Sequence, residues 1–428
     1  MRPKNGRKKS MVPQKRPAKA LADNVIYSNK ESYNPISLKV MNERDIESID
    51  MYQDGDYDAR KQKKITSQEQ CSENLHRKSK KLCLENFILF RKQQYFHSNG
   101  INYFAKLSDE VILYIFHLLP KPTLLQCSVV CKRWRDLSND GSLWKRYDFG
   151  RQIIKPCALE HLLLKGISIL RLAMSDIKSP VFSDSFLRDS QWYCNLQYLD
   201  LSMVTISTPE IASILSLCVY LKKLSVENCE MDEDCCENIA QNRDLSVLNM
   251  SMCSGLTPLG LHTICVNCTK LEEWNLAWTN LTTHCLETFL PALPKGIQKL
   301  NLSGNRNTLD DMTLIKALNR CPNIIELDIS DCSLLTEVSF EVLVKKCKKL
   351  QHLHSSRAYD IPTECNRLLK ELKDFKSLEI FRTLTQNNLE SLRANLSFVK
   401  INETVFSTIA RPTTGVKRTS IWGIRTRD

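Results

Sequence analysis

A pattern of alternating leucines, L-x-x-L-x-L and a short turn, recurs through the C-terminal two thirds of this 428-residue chain. It reads ISILRLAMS (167–175), LQYLDLSMV (196–204), LKKLSVENC (221–229), LSVLNMSMC (245–253) and LEEWNLAWT (271–279). It continues as IQKLNLSGN (297–305), IIELDISDC (324–332), LQHLHSSRA (350–358), LEIFRTLTQ (378–386) and a shortened LSFVKIN (396–402). From 196 onward the first leucines stand 25, 24, 26, 26, 27, 26 and 28 residues apart. In x-L-x-L-x the leucines point to one side of a short strand and the x residues to the other. Stretches such as TPLGLHTICVNC fill the rest of each unit with a helix. One unit cannot cover its own apolar ends, so its neighbours must.

This is the leucine-rich-repeat period. It predicts an α/β fold: a right-handed leucine-rich-repeat horseshoe of about ten repeats over 150–402, with parallel strands lining the concave face and helices the convex one. The register also places seven of the 18 cysteines. Cys218, Cys268, Cys321 and Cys347 stand three residues before a first leucine, and Cys229, Cys253 and Cys332 eight after one. A small apolar side chain fits such turns. Cys265-Val-Asn-Cys268 has no second CxxC at zinc spacing, so the sequence offers no metal site.

Residues 1–100 have another texture: 21 Lys/Arg against 12 Asp/Glu, or +9 of the chain's +12, with no sustained apolar period. They read as a disordered basic arm. The clusters at 4–9 and 15–19 are either a nuclear import address or a solvated tail. Residues 80–84 (KKLCL) fit a short cyclin-docking pattern that also arises by chance. With 39 Lys/Arg against 36 Asp/Glu, the remaining 328 residues carry +3 and argue against a nucleic-acid-binding body. The sequence lacks an apolar run of membrane-spanning length and a signal-peptide core, so no membrane partner is expected and the location expected is nucleus and cytoplasm.

Between arm and repeats, LSDEVILYIFHLL predicts a helix capped at Ser108 and stopped by Pro120 and Pro122. TLLQCSVVCKRWRDLS restarts a second helix, and SLWKRYDF closes the segment. So small a module, with two or three short helices, needs a neighbour or partner to cover its apolar surface. The stretch CSVVCKRWRDLSNDGSLW, with Cys127 and Cys131 one helical turn apart, admits a redox, nucleic-acid or docking reading. The uncharged balance of the body and the core-like placing of the thiols leave docking.

Residues 104–149 resemble an F-box, carried by Leu107, Ile115, Phe116, Pro122, Leu124, Leu125, Val130, Trp134, Leu143 and Trp144, with Ser108 where the family usually has Pro. The resemblance implies three helices that dock on the adaptor subunit of a Skp–cullin–F-box (SCF) ubiquitin ligase, and through it indirectly on the cullin and RING subunits. An F-box followed by leucine-rich repeats resembles the substrate receptors of such ligases. The family resemblance extends to FSTIARPTTGVKRTSIWGI (406–424), which implies that residues 403–428 fold back along the concave face. Extended, about twenty residues reach near 70 Å, enough for ten strands at about 4.8 Å each.

The resemblance further implies that later repeats and tail bind a small Cks-type accessory protein and, across both, a phosphorylated Kip-type inhibitor of cyclin-dependent kinases. The positions carried over are Trp278, Arg306, Asp331, Arg357, Tyr359 and Phe406. Spacing alone puts Trp278, Asp331 and Arg357 in one column, seven residues after a first leucine. The arginines suit an acidic partner group, Asp331 a basic one, and the aromatic rings apolar contacts. No Cys–His or RING-like arrangement suggests catalysis, and no cofactor is implied. The expected role is a non-catalytic receptor. The alternatives are a repeat scaffold that tethers a partner without ubiquitin, and an enzyme using one of its cysteines.

Overall fold

A computed structural model describes residues 103–188, 193–413 and 420–426. The basic clusters at 4–9 and 15–19 and the segment 80–84 lie outside the described residues. No helix among the described residues is long and apolar enough to cross a membrane.

Eleven strands form one parallel sheet in chain order. They are β1 Arg146–Asp148, β2 Ile169–Arg171, β3 Tyr198–Asp200, β4 Lys223–Ser225, β5 Val247–Asn249 and β6 Glu273–Asn275. The series ends with β7 Lys299–Asn301, β8 Glu326–Asp328, β9 His352–His354, β10 Ser377–Glu379 and β11 Lys400–Ile401. The middle residue of each full strand from β2 to β10 is a leucine or Trp274, at most 1 % exposed, and joins one continuous core with the helices behind. The parallel pairing follows from the connection: each strand is followed by a crossover of about twenty residues, too long for a hairpin.

The last residue of most strands is polar yet buried, and the reason is local. Asp200, Asn249, Asn275, Asn301 and Asp328 each use Oδ1 to accept the backbone N–H two residues on, which closes the turn at the strand end. Three residues after the end of its strand each turn passes through the left-handed region, at Met174, Met203, Asn228, Met252, Trp278, Gly304, Asp331, Arg357 and Arg382. Non-glycine residues there cost about 1 kcal/mol each, so the stacked turns hold this backbone against local preference.

This column corrects the ninth repeat. Arg382 and the pairing of Leu353 with Leu378 put its first position at Phe375, not Leu378. The repeat reads Phe375-x-x-Leu378-x-Ile380, and the spacing from Leu350 is 25 rather than 28. An unrecognised repeat precedes the first. Trp144-x-x-Tyr147-x-Phe149 supplies β1, and Arg151 takes the left-handed position. Residues 144–149 are therefore both the end of the helical module and the start of the sheet.

In that module α1 is Asp109–His117, α2 Lys121–Ser128 and α3 Lys132–Ser138, with a 3-10 turn at Gly141–Trp144. The single helix expected over 123–138 is broken at 129–131. Cys131 is extended, and its sulfur accepts the Trp134 N–H at 3.5 Å as the N-cap of α3. Cys127 and Cys131 thus do not share a helix: the first is buried and the second exposed. Pro122 begins α2 rather than ending α1, since the first turn of a helix has no use for its missing N–H.

The tail runs back across the strands. Thr404 Oγ1 donates to Glu379 Oε1 on β10 at 3.0 Å, and Asn275 Nδ2 on β6 donates to Ile409 O at 3.0 Å. Ile409 and Ala410 pack on Val247 of β5 with Trp422 beside them, and Thr426 reaches Asp148 of β1 at 3.4 Å. Five residues between Thr404 and Ile409 span about 16 Å extended, against roughly 19 Å for four strand spacings. The side chains of Glu379 and Asn275 take up the rest of the distance, and the segment bends at Val405 and Phe406 between the two anchors.

Candidate functional site

Two surfaces stand out, one on the helical module and one along the strand ends of the later repeats. The module has its own core of Ile112, Phe116, Leu124, Cys127, Leu143 and Trp144. Trp144 Nε1 donates to Ser138 O at 2.7 Å, which satisfies the indole inside. Trp134 meets Phe104 and Phe116 edge-on at 5.2 and 5.5 Å. Arg133 clamps α3 to the start of α1, with Nε on Asp109 Oδ1 at 2.7 Å and Nη2 on Leu107 O at 2.6 Å.

Of the expected docking residues, Phe116, Leu124, Leu143 and Trp144 are therefore interior. Leu107, Ile115, Pro122, Leu125 and Trp134 are half-buried, and Val130 is exposed. The spacing explains the difference: Ile112 and Phe116 lie one turn apart and close on α2. The opposite face of α1 and the break after α2 carry Tyr114, Leu118, Val129 and Val130, all between 62 and 70 % exposed. Four large apolar side chains at that exposure are the open part of the module. Exposure finds them; the period sets Tyr114 off the apolar stripe but counts Leu118 within it.

The second surface is built by the left-handed column. At that turn the side chain leaves the end of the strand sideways, so neighbouring repeats bring theirs together. Asp331 is 4 % exposed and lies between two arginines. Arg357 Nε donates to both carboxylate oxygens at 2.9 Å and its Nη2 bonds Oδ2 as well. Arg306 Nη2 donates to Oδ1 at 2.9 Å. The Asp331 hydrogen bonds raise Arg357 above its ordinary value. Arg306 also lies over Trp278, its Cζ 5.1 Å from the ring centroid.

Gly304 has φ +87°, and a Cβ there would stand 2.6 Å from Trp278 Cδ2, so the glycine makes room for the indole. The four residues form one unit: a 40 % exposed indole, two part-exposed guanidinium groups and a sealed carboxylate with net charge +1. Sequence reasoning expected each charge to face a partner. Asp331 instead finds its basic groups within the chain, and what remains outward is cationic and aromatic. Tyr359 is 62 % and Phe406 71 % exposed, and Tyr359 lies close enough to Arg357 to interact with its charge. Phe406 lies in the tail between its anchors on β10 and β6, which flank the repeats that carry Arg306, Asp331 and Arg357.

Five of the buried thiols are held in their unreactive protonated form. Burial pushes Cys229, Cys236, Cys268, Cys321 and Cys347 up to about 12. Cys265 and Cys268 point apart, to Phe289 O and Ile239 O. Among the described residues no three His, Cys, Asp or Glu side chains come together as a metal site.

A three-helix module fused to a parallel β–α solenoid is what an F-box with leucine-rich repeats builds, and comparison with known proteins agrees. Residues 105–150 match the F-box-like family. Residues 157–428, well over half of the chain, match the family described as SKP2 LRR domain, and the chain belongs to that family. Human F-box/LRR-repeat protein 12 is 31 % identical over 135 residues, 30 % of this chain and 40 % of the relative. F-box/LRR-repeat protein 4 of Bos taurus is 31 % identical over 124 residues, 27 % of this chain and 20 % of the relative. The matched part thus spans two fifths or less of these relatives. A chain from the crystal structure of a Rad7 and Elc1 complex in yeast aligns with a TM-score of 0.38 at 13 % identity, over 75 % of this chain and 97 % of that one.

Proposed function

We propose that the chain is a substrate receptor of an SCF ubiquitin ligase, contributing binding and no chemistry. The open apolar face at Tyr114, Leu118, Val129 and Val130 docks on the adaptor, which places the cullin and RING subunits indirectly. The Trp278–Arg306–Asp331–Arg357 cluster, with Tyr359 and Phe406, receives a Cks-type accessory protein and a phosphorylated Kip-type inhibitor of cyclin-dependent kinases. The inhibitor is then ubiquitinated and degraded, as part of the cell cycle in nucleus and cytoplasm. A cyclin contact through residues 80–84 belongs to the same reading.

One observation carries the proposal. The helical module closes its own core and still leaves large apolar side chains outside it. Such patches mark partner surfaces. Leu118→Glu with Val130→Glu tests it. Neither side chain belongs to the core, so the fold should hold while adaptor capture from a lysate drops by more than about tenfold, on the order of 2 kcal/mol for central interface residues. Undiminished capture would leave the repeat scaffold acting without ubiquitin as the better reading.

A further inference from the structure

The repeat register makes Cys218 a small apolar filler, and the structure sets a second cysteine against it. Cys194 lies in the coil before β3, and Cys218 just after the helix Thr208–Ser216. Their sulfur atoms are 3.3 Å apart, and both residues are 0 % exposed. The Cys194 N–H donates to Leu217 O at 2.9 Å, so the backbone holds the two segments together independently of the sulfurs. Cys321 and Cys347 occupy the slot of Cys218 in later repeats, three residues before the first position, whereas Cys194 stands two before Leu196.

The environment separates the two thiols. Cys218 and the peptide N–H groups of Leu196 and Cys194 hydrogen-bond the Cys194 sulfur and lower it below the ordinary thiol value, against burial. The contact with Cys194 raises Cys218 well above that value. Every other described cysteine with a displaced thiol is displaced upward, by burial first. Two sulfurs in contact across neighbouring repeats pair an attacking with a resolving cysteine, and since both are 0 % exposed a peroxide reaches them only when the coil around Tyr193 opens locally. Tyr193, one residue away, is 49 % exposed, so the coil that carries Cys194 reaches the surface at its next residue.

We propose that Cys194 and Cys218 are an oxidisable dithiol for a hydroperoxide. The Cys194 thiolate attacks the O–O bond. That bond breaks, one oxygen stays on sulfur as sulfenic acid, and the other leaves as water, or as an alcohol from an organic peroxide. Cys218 then attacks the Cys194 sulfur, its proton goes to the departing hydroxide, and water is released. Two electrons leave the pair, the peroxide is reduced, and a disulfide joins two neighbouring repeats at the start of the solenoid.

The test is peroxide treatment of the native full-length chain with hydrogen peroxide as probe, followed by alkylation and peptide mapping. The expected result is a Cys194–Cys218 linked peptide that disappears on reduction and is lost in Cys194→Ser. In Cys218→Ser, dimedone should trap sulfenic acid on Cys194, and in Cys194→Ser it should trap none on Cys218. Mapping of the unsubstituted chain decides the matter even if a variant folds poorly. Absence of the linkage at doses that oxidise exposed Cys131 would overturn the proposal. So would linkage seen only in denaturant, or equal dimedone labelling of both variants.

Discussion

Replacing Asp331 by Asn examines the charged unit with little disturbance of the backbone. Asp331 holds φ +60°, a region Asn tolerates about as well, so the turn should survive. The charge that both arginines share is removed. Arg357 loses a two-oxygen contact and Arg306 a single bond of 2.9 Å. The Arg306 side chain is 45 % and the Arg357 side chain 34 % exposed, so solvent screens both and the usual strength of a buried pair does not apply. Taking about 0.5–1 kcal/mol for each pair gives a total near 1–2 kcal/mol. Urea unfolding should show that loss with an unchanged slope. A cycle adding Arg306→Ala and Arg357→Ala should find that, once Asp331→Asn is present, each further change costs little. An unaltered midpoint, or three fully additive losses, would refute the claim that the residues act as one unit.

Gly304→Ala should force the Trp278 indole away, with Cβ 2.6 Å from its ring, and should change the near-UV circular dichroism; overpacking of this kind costs about 1–3 kcal/mol. Burial pushes the Asp200 carboxyl up to about 6, above an unfolded value of about 3.9. The folded chain therefore binds that proton more tightly, and the stabilisation is fully present below about pH 4 and lost as pH rises through about 6. The two-unit difference is worth roughly 3 kcal/mol, and Asp200→Asn should remove that part of the pH dependence of urea unfolding. Trp144→Ala should cost about 3–5 kcal/mol and split calorimetric unfolding into a module and a solenoid transition, because Trp144 and Tyr147 join the two cores.

The leucines made most of the solenoid legible because an inward residue recurs at nearly constant intervals. The register slipped where that signal changed its residue: Phe375 stands in a leucine's place, and the spacing count jumped to Leu378. Trp144, Tyr147 and Phe149 were missed as a repeat for the same reason, since aromatic side chains fill leucine sites there. The break at 129–131 has no Pro or Gly to announce it. Val129 and Val130 simply end α2, and Cys131 caps α3. The column of Trp278, Asp331 and Arg357 was readable from spacing. The bonding within it was not, because it depends on left-handed turns that direct side chains from one repeat toward the next. The exposed face of the helical module was likewise hidden, since Phe116 and Trp144 look like docking residues until their core is closed.

The central claim is that the helical module and the strand-end cluster with its tail are separate docking surfaces. Quantitative affinity purification with mass spectrometry should compare the intact chain, Leu118→Glu with Val130→Glu, and a version truncated after Asn402. The account predicts that the module variant loses the adaptor and cullin while keeping the accessory protein, and that the truncated chain does the reverse. Loss of both sets from either variant, or of neither, would contradict it.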